Sequence, residues 1–566
     1  MKSKIHFPLE LLASFMITAM IIGSSAPLLY YIRTTPPGKT FVLMHNQIQD
    51  YYSYLHYMRQ GYDGEWLLTT RYTPEQFPRQ LNQTYFIFLG KVAKLFDGNM
   101  PFTYTLARVT EGIILALLTF ILASAVLQKK TKVLCACFLA WFGTSFWWLT
   151  KTSHGFVFHR TLDFWTEFDA LYRATFLPHH MAALIFFVAS ILFLTKALTG
   201  RFFPWIILAS VSGLLCGLTN PATLLLLFTT LGVCVLFYTV RQIVRIGKTT
   251  STALRKRRLS EFLLFSLTVG SFGVVSSLAL FHLYRVQHAV FPWSDYKYHL
   301  GFLNFSLSFK DYLLGMGPSF VLALLALPLV VKTLFFGQNA SGEKPSTEQF
   351  VLLLLILSWA IAPFIGIFII APMGIVPNSY FFQGAHYIPL SILGAISLTS
   401  ILQKLRRIHL LLPVVAIAIL FLYFAVSWHE TYRRETSYYS PNIFNIFIDK
   451  EIIDAMKWLD TNSPYESVVL AGPYTSVFLP GFTHNRVHSG HAGLTYKYGT
   501  KQTESDLFFR QDDSVGSQKI LAKYPISYVF YTYDTPAAKE EFIKQLGGKR
   551  VYHNPAVTIF AFANSK

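Results

Sequence analysis

The feature that most constrains this chain is a series of apolar runs, each about 20 residues long and therefore able to cross a hydrocarbon core. They begin near Leu11, Thr103, Val133, Met181, Phe203, Ala222, Glu261, Met316, Phe350, His386 and Leu410. Eleven spans are expected. Hydrophobic residues make up 53% of the 566 and charged residues only 14%, which excludes a string of soluble domains of that length. The first apolar run continues through Ile32 without a small-residue cleavage site, so it reads as a retained span rather than a secretory leader.

Short cytoplasmic loops retain Lys and Arg, and this bias sets the orientation. Lys2 and Lys4, Lys129, Lys130 and Lys132, the stretch from Arg241 to Arg258, and Lys404, Arg406 and Arg407 all fall on one side of the alternating spans. That side is read as the cytoplasm. An odd number of spans then places the C-terminal part outside the cell membrane. The net charge of +19 is accounted for by topology and anionic-lipid contact, and nucleic acid is not an expected partner. Cys135, Cys137, Cys216 and Cys234 all lie within spans, where they read as small apolar packing residues rather than disulfides.

The fold class expected is an α-helical polytopic membrane protein of about eleven transmembrane helices (1–428) with a C-terminal extracytoplasmic α/β domain (429–566). Four outer segments, 33–101, 151–180, 285–315 and 372–385, interrupt the membrane part, and long ordered loops commonly carry function. The first segment predicts a helix over Gln47 to Gln60, a break at Gly61 and Gly64, and an amphipathic surface helix over Asn82 to Phe96. In the tail, an amphipathic helix around Trp458 precedes the strand-like SVVLAG. ISYVFYTY and VTIFAF flank the helical AAKEEFIKQLGG, so a small α/β layer follows. The inner loop QNASGEKPSTEQ reads as flexible.

The stretch HNQIQDYYSYLHYMRQGYDGEWLL places Asp50, Tyr54 and Tyr57 at helical spacing just beyond the first span. From spacing alone Asp50 is either a solvated helix residue, an arginine partner or a catalytic carboxylate. This first loop resembles that of the GT-C superfamily of polyprenyl-phosphate-sugar-dependent glycosyltransferases, especially the protein O-mannosyltransferases and lipid A aminoarabinose transferases. The matching features are Asp50 and Tyr54, Gly64 and Trp66, the Asn82–Phe96 helix, Phe96-Asp97-Gly98, and Arg108. Tyr51 stands where that family has Glu, and FPRQLNQTYF stands where it has Lys/His-Pro-Pro-Leu. The entry to the tail, AMKWLDTNSPYESVVLAG, also resembles the outer domains of this group, including oligosaccharyltransferases, although their Trp-Trp-Asp-Tyr-Gly signature does not follow.

The resemblance implies a lipid-linked sugar donor, an inverting transfer, and Asp50 as the base that takes the acceptor hydroxyl proton during attack. The departing lipid phosphate needs cationic partners, for which Arg59, Arg71, Arg108 and Arg173 are available on the outer side. Each is equally readable as a headgroup anchor. In the second outer loop Asp163 and Glu167 share a helical face near Arg160. They form either a second acidic or divalent-metal-binding element, or a surface helix whose charges pair locally. His179 lies at the mouth of a span, where a polar ring needs a partner or a wet cavity. His484, His488 and His491 have a tempting metal spacing but read better as surface histidines. Gln383 and His386 line either a substrate groove or a turn. Three N-x-S/T matches, at Asn82, Asn304 and Asn339, decide nothing. Two other classes compete: a transporter or flippase, which calls for mid-span polar residues beyond the few here (Glu111, Asn220), and a noncatalytic relative that binds through its outer domain.

Overall fold

The computed structural model describes residues 8–44, 47–153, 155–161, 170–173, 177–200, 202–247, 251–295, 303–337, 344–374, 376–382, 384–438, 443–510, 514–535 and 540–562. Asp163, Glu167, Gln383 and Asn339 lie outside the described residues, as do Lys2, Lys4 and 338–343 of the inner loop.

Among the described residues, ten helices are long and apolar enough to cross a membrane. They are α1 (Leu9–Arg33), α4 (Met100–Leu127), α7 (Pro178–Thr199), α8 (Phe202–Thr219), α9 (Pro221–Gly247), α10 (Thr252–Ala289), α12 (Gly317–Phe336), α13 (Thr347–Ile365, prolonged by tighter and wider turns to Met373), α15 (Tyr387–Ile408) and α16 (Leu412–Tyr438). The span expected near Val133 is α5 (Lys130–Phe142), a helix of 13 residues. It covers about 20 Å at 1.5 Å per residue, short of a core about 30 Å thick. Gly143 ends it in extended backbone, and the chain continues into an antiparallel hairpin of β2 (Trp147–Thr152) and β3 (Gly155–Arg160).

The chain forms two compact units. The first comprises Met1–Ala26, Arg108–Phe281 and Leu300–Arg434; the second comprises Pro27–Ala107, His282–His299 and Glu435–Lys566. Apolar packing dominates the first. Trp359 is fully buried with its ring 4.6 Å from Phe187, and its indole N–H donates to the Gly384 carbonyl at 2.8 Å. Gly213 brings α8 against α10, because a Cβ there would lie 2.2 Å from Ser276 Oγ. The hairpin is tied down at its base: Trp147 stacks on Tyr423 at 4.8 Å, and Arg160 Nη1 donates to Thr431 Oγ1 at 2.8 Å.

In the second unit the tail is built together with the first loop. Strand β1 (Lys39–Phe41) pairs antiparallel with β4 (Phe447–Asp449). A five-stranded sheet runs in the order β6 (Arg486–Val487), β5 (Val468–Ala471), β7 (Ile526–Tyr531), β9 (Thr558–Ala561), β8 (Lys549–His553), parallel across the first three and antiparallel beyond. Alternate residues of its central strands serve different cores. Val469, Ala471, Tyr528, Phe530 and Ile559 join the core containing α2 (Ile48–Tyr62), α3 (Thr84–Val92), α17 (Lys450–Asn462) and α18 (Thr475–Phe482). Val468, Leu470, Val529 and Phe560 join the core built with α19 (Tyr498–Arg510), α20 (Ser514–Lys523) and α21 (Glu540–Gln545). Burial on both faces is why SVVLAG reads as an unbroken apolar run. Helix α2 continues through Gly61, where a break was expected, and ends at Asp63 and Gly64. Gly61 instead lets α2 and α3 touch backbone to backbone: a Cβ on it would lie 2.2 Å from Ile87 O, and one on Gly90 would lie 1.9 Å from Met58 O.

Candidate active site

Asp50 occupies the first turn of α2, where a carboxylate suits the exposed N–H groups of a helix start. The N-cap Gln47 supplies no side-chain cap, and among the described residues the Asp50 carboxylate has no ion-pair or hydrogen-bond partner. Asp50 is exposed to solvent, yet enough protein surrounds the carboxyl to penalise its charged form and raise its pKa above the ordinary carboxylate value. The next residue points elsewhere. Tyr51 is fully buried, its hydroxyl donates to Val42 O at 2.5 Å, and its ring packs edge-on against Tyr104 at 5.2 Å. One turn after Asp50, Tyr54 stacks on Phe86 at 4.4 Å. Tyr57 is buried with Trp293 at 6.0 Å.

Arg59 and Arg71 are committed to an internal ion-pair network. Arg59 meets Asp63 at 2.8 Å and Asp460 at 2.9 Å, and it also donates to the Phe482 carbonyl. Arg71 is 0% exposed; it meets the other oxygen of Asp63 at 2.8 Å, approaches Glu466 at 3.8 Å and lies over the Tyr465 ring. Glu466 also binds Arg79 and Arg486, each at 3.0 Å. Arg486 in turn donates to the carbonyls of Thr70, Thr73 and Glu75. These arginines fasten the first loop to the tail, so buried charge here is paired charge. His56, beneath them, accepts from the Arg71 backbone N–H at 3.0 Å; burial, with Arg71 nearby, holds its pKa well below the ordinary value, so it is a neutral acceptor.

Sequence reasoning missed Asp63, Arg79, Asp460, Glu466 and Arg486. The four-residue spacing of Arg59 and Asp63 was a usable signal; the partners from the tail left none.

The other candidates belong to the first unit. Arg108 is 1% exposed near the start of α4. It lies at helical spacing from Gly112, Leu115 and Thr119, which line a small cavity with Arg173 and Tyr387. Arg173, at the end of the short helix α6 (Ala170–Arg173), donates to Ala140 O at 3.0 Å, and its guanidinium lies 4.4 Å from the centre of the Tyr387 ring. His179 meets His180 edge to face at 4.4 Å at the start of α7. His386 pairs with the Tyr312 hydroxyl at 2.5 Å and stacks near Phe364, inside the fold.

The three tail histidines do not converge, and they are not surface residues as a group. His484 pairs with Asp460 at 3.0 Å, His488 is fully buried 3.5 Å from Glu504, and His491 lies against Tyr72. Among the described residues no group of three or more His, Cys, Asp or Glu side chains is placed to hold a metal ion.

No family model matches the sequence, and no curated protein matches it. Among solved structures, the chain is similar to the Archaeoglobus fulgidus oligosaccharyltransferase in its apo form. The TM-score is 0.50 at 12% identity, over 98% of this chain and 74% of that one. The same oligosaccharyltransferase tethered through a disulfide to an acceptor peptide containing the NVT sequon gives a TM-score of 0.46 at 14% identity over the same shares. At such identity the first likeness establishes the fold: a polytopic helical membrane protein with a C-terminal α/β region.

Proposed function

We propose that this protein is a membrane glycosyltransferase of the GT-C type, moving a sugar from a polyprenyl-phosphate carrier to an acceptor at the outer membrane face. The observation that carries the reading is Asp50: an unpaired carboxylate of raised pKa in the first turn of α2, within a fold similar to that of an oligosaccharyltransferase. A carboxyl of raised pKa is a better proton acceptor once ionised.

In the proposed step the acceptor hydroxyl oxygen attacks the anomeric carbon from the side opposite the carrier. Its proton passes to Asp50 as the new C–O bond forms. The bond from the anomeric carbon to the phosphate oxygen breaks, the polyprenyl phosphate leaves with the electron pair, and the anomeric configuration inverts. The leaving phosphate calls for a cationic partner. Arg59 and Arg71 are left out of this role because their guanidinium groups already neutralise Asp63, Asp460 and Glu466. Beside Asp50 the next position is the inward-facing Tyr51, so no adjacent carboxylate joins Asp50 in holding a divalent cation.

The orientation we assign puts the N-terminus in the cytoplasm and the tail outside. It requires α5 to cross. A few extended residues after Phe142, at about 3.3 Å each, supply the length that α5 lacks.

The test is transfer from a radiolabelled polyprenyl-phosphate sugar in membranes carrying the native protein or Asp50→Asn. Loss of a positioned general base is expected to slow transfer by about 10²–10⁴-fold. Undiminished transfer by the variant sinks the mechanism.

A further inference from the structure

The second unit contains a cavity of about 410 Å³ that no residue of α2 lines, bordered by Glu75 of the first loop and by Tyr496, Lys497, Thr500, Lys501 and Tyr524 of the tail. Its volume falls in the range of small-ligand sites. Two tyrosine rings supply flat apolar surface, and Lys501 is fixed with its ammonium 5.5 Å from each ring centre. That ammonium is 1% exposed and its three protons are spoken for. It donates to Thr73 Oγ1 at 3.0 Å, to the Tyr496 carbonyl at 2.9 Å and to Glu75 Oε1 at 2.6 Å. Lys523, also on the rim, is bound to Glu504 at 2.6 Å. Lys501 and Lys523 therefore shape the site and cancel its carboxylates.

Lys497 is different. It is exposed, and among the described residues its ammonium has no ion-pair or hydrogen-bond partner beyond the face of Tyr496 at 5.4 Å. Its backbone is held at φ +52°, a left-handed conformation costly for a lysine. It immediately precedes α19, whose first-turn N–H groups lack intrahelical acceptors, and Gly499 leaves open space beside them. The cavity thus joins aromatic faces, a hydroxyl at Thr500, a carboxylate with exposed edge at Glu75, and one uncompensated positive end.

A sugar ring has the complementary chemistry, with C–H faces that lie on tyrosine and hydroxyls that bond to carboxylate, ammonium and hydroxyl groups. The uncompensated charge selects an anionic substituent. We infer that this cavity binds an anionic sugar, one or two rings of a glycan that carries a carboxylate or a phosphate. The inference goes beyond sugar transfer at Asp50 and stands without it, so binding is measured on both the native chain and Asp50→Asn.

The experiment is equilibrium dialysis of radiolabelled glucuronic acid, mannose 6-phosphate, glucose and inorganic phosphate against the full-length protein in nanodiscs. Glucuronic acid or mannose 6-phosphate, or both, should bind about tenfold more tightly than glucose or phosphate, the gain of one charge-assisted hydrogen bond. Which of the two binds better identifies the source of the anion. Because Tyr496 also packs on Phe77 and Phe291, the variants spare it. Lys497→Asn tolerates the left-handed backbone and should bring the anionic sugars to the level of glucose, and Thr500→Trp should fill the cavity and abolish binding. Phosphate binding as tightly as the sugars reduces the cavity to an anion site and overturns the inference. So does equal binding of glucose and the anionic sugars, or binding that both variants leave unchanged.

Discussion

At the C-terminal end of α2, Arg59 is held by Asp63 at 2.8 Å and Asp460 at 2.9 Å, whereas at the N-terminal end of the same helix the Asp50 carboxylate has no partner among the described residues. Both charges suit the helix dipole, so the dipole does not distinguish them. Surroundings do. A guanidinium surrounded by protein is tolerated only with its charge neutralised, and Arg59 and Arg71 each meet two carboxylates, sharing Asp63. Asp50 keeps access to solvent, so it stays unpaired and remains available to take a proton.

The sharpest way to break this comparison is Arg71→Met. Removing a fully buried cation leaves Asp63 and Glu466 less compensated, with an expected loss of about 3–5 kcal/mol in the stability of the second unit, read by urea unfolding followed by protease resistance of the tail. Asp50→Asn should show no such loss, and if the two variants behave alike the contrast between the helix ends is empty.

Acid titration is the next test. At Asp460 burial opposes ionisation, but the bonds from His484 and Arg59 outweigh it; at Glu75 burial is outweighed by Lys501 and Thr73. Both carboxyls therefore titrate below their ordinary values. A lowered folded-state pKa contributes stability that is present above the unfolded value and lost as pH falls through the folded one. The second unit should hold at neutral pH and loosen below about pH 4, as followed by tyrosine fluorescence. Arg59→Met should weaken the part of that dependence owed to Asp460.

The smallest effect belongs to Asp50, whose shift has the opposite sign. Its raised pKa means that ionisation costs stability above the folded value, a cost absent below the unfolded value. Asp50→Asn should therefore leave thermal stability at neutral pH unchanged or slightly raised, and that difference should vanish in acid. Transfer by the native protein should fall in acid with a midpoint above about pH 4, the usual carboxylate value, measured as a pH–rate profile. A midpoint at or below that value removes Asp50 as the titrating base.

The long apolar runs made the membrane helices legible, because a bilayer leaves few alternatives. SVVLAG, ISYVFYTY and VTIFAF were legible as strands for a similar reason, being buried on both faces. Helix α5 is shorter than its apolar run because apolar content alone does not reveal where a helix stops, and Gly143 stops it early. The β2–β3 hairpin had a readable signal in two β-rich runs around Gly155, at φ +115°. The place of Asp50 on a helix soon after the first span was legible. The fate of Arg59 and Arg71 was not, since Asp460 and Glu466 are remote in sequence and only tertiary pairing separates a phosphate-binding arginine from a structural one. His488 and Tyr51 were opaque for the same reason: their burial comes from elements far along the chain.

The β1–β4 ladder joins Lys39–Phe41 to Phe447–Asp449, about 400 residues later. During synthesis at roughly 5–20 residues per second, the first loop emerges about 20–80 s before the strand that completes it. Throughout that interval Arg71 lacks Glu466 and the apolar side of α2 lacks its tail partners. The earliest loop to be made is thus the last to be finished, and a chain truncated before residue 447 carries its proposed catalytic carboxylate on an unfinished loop.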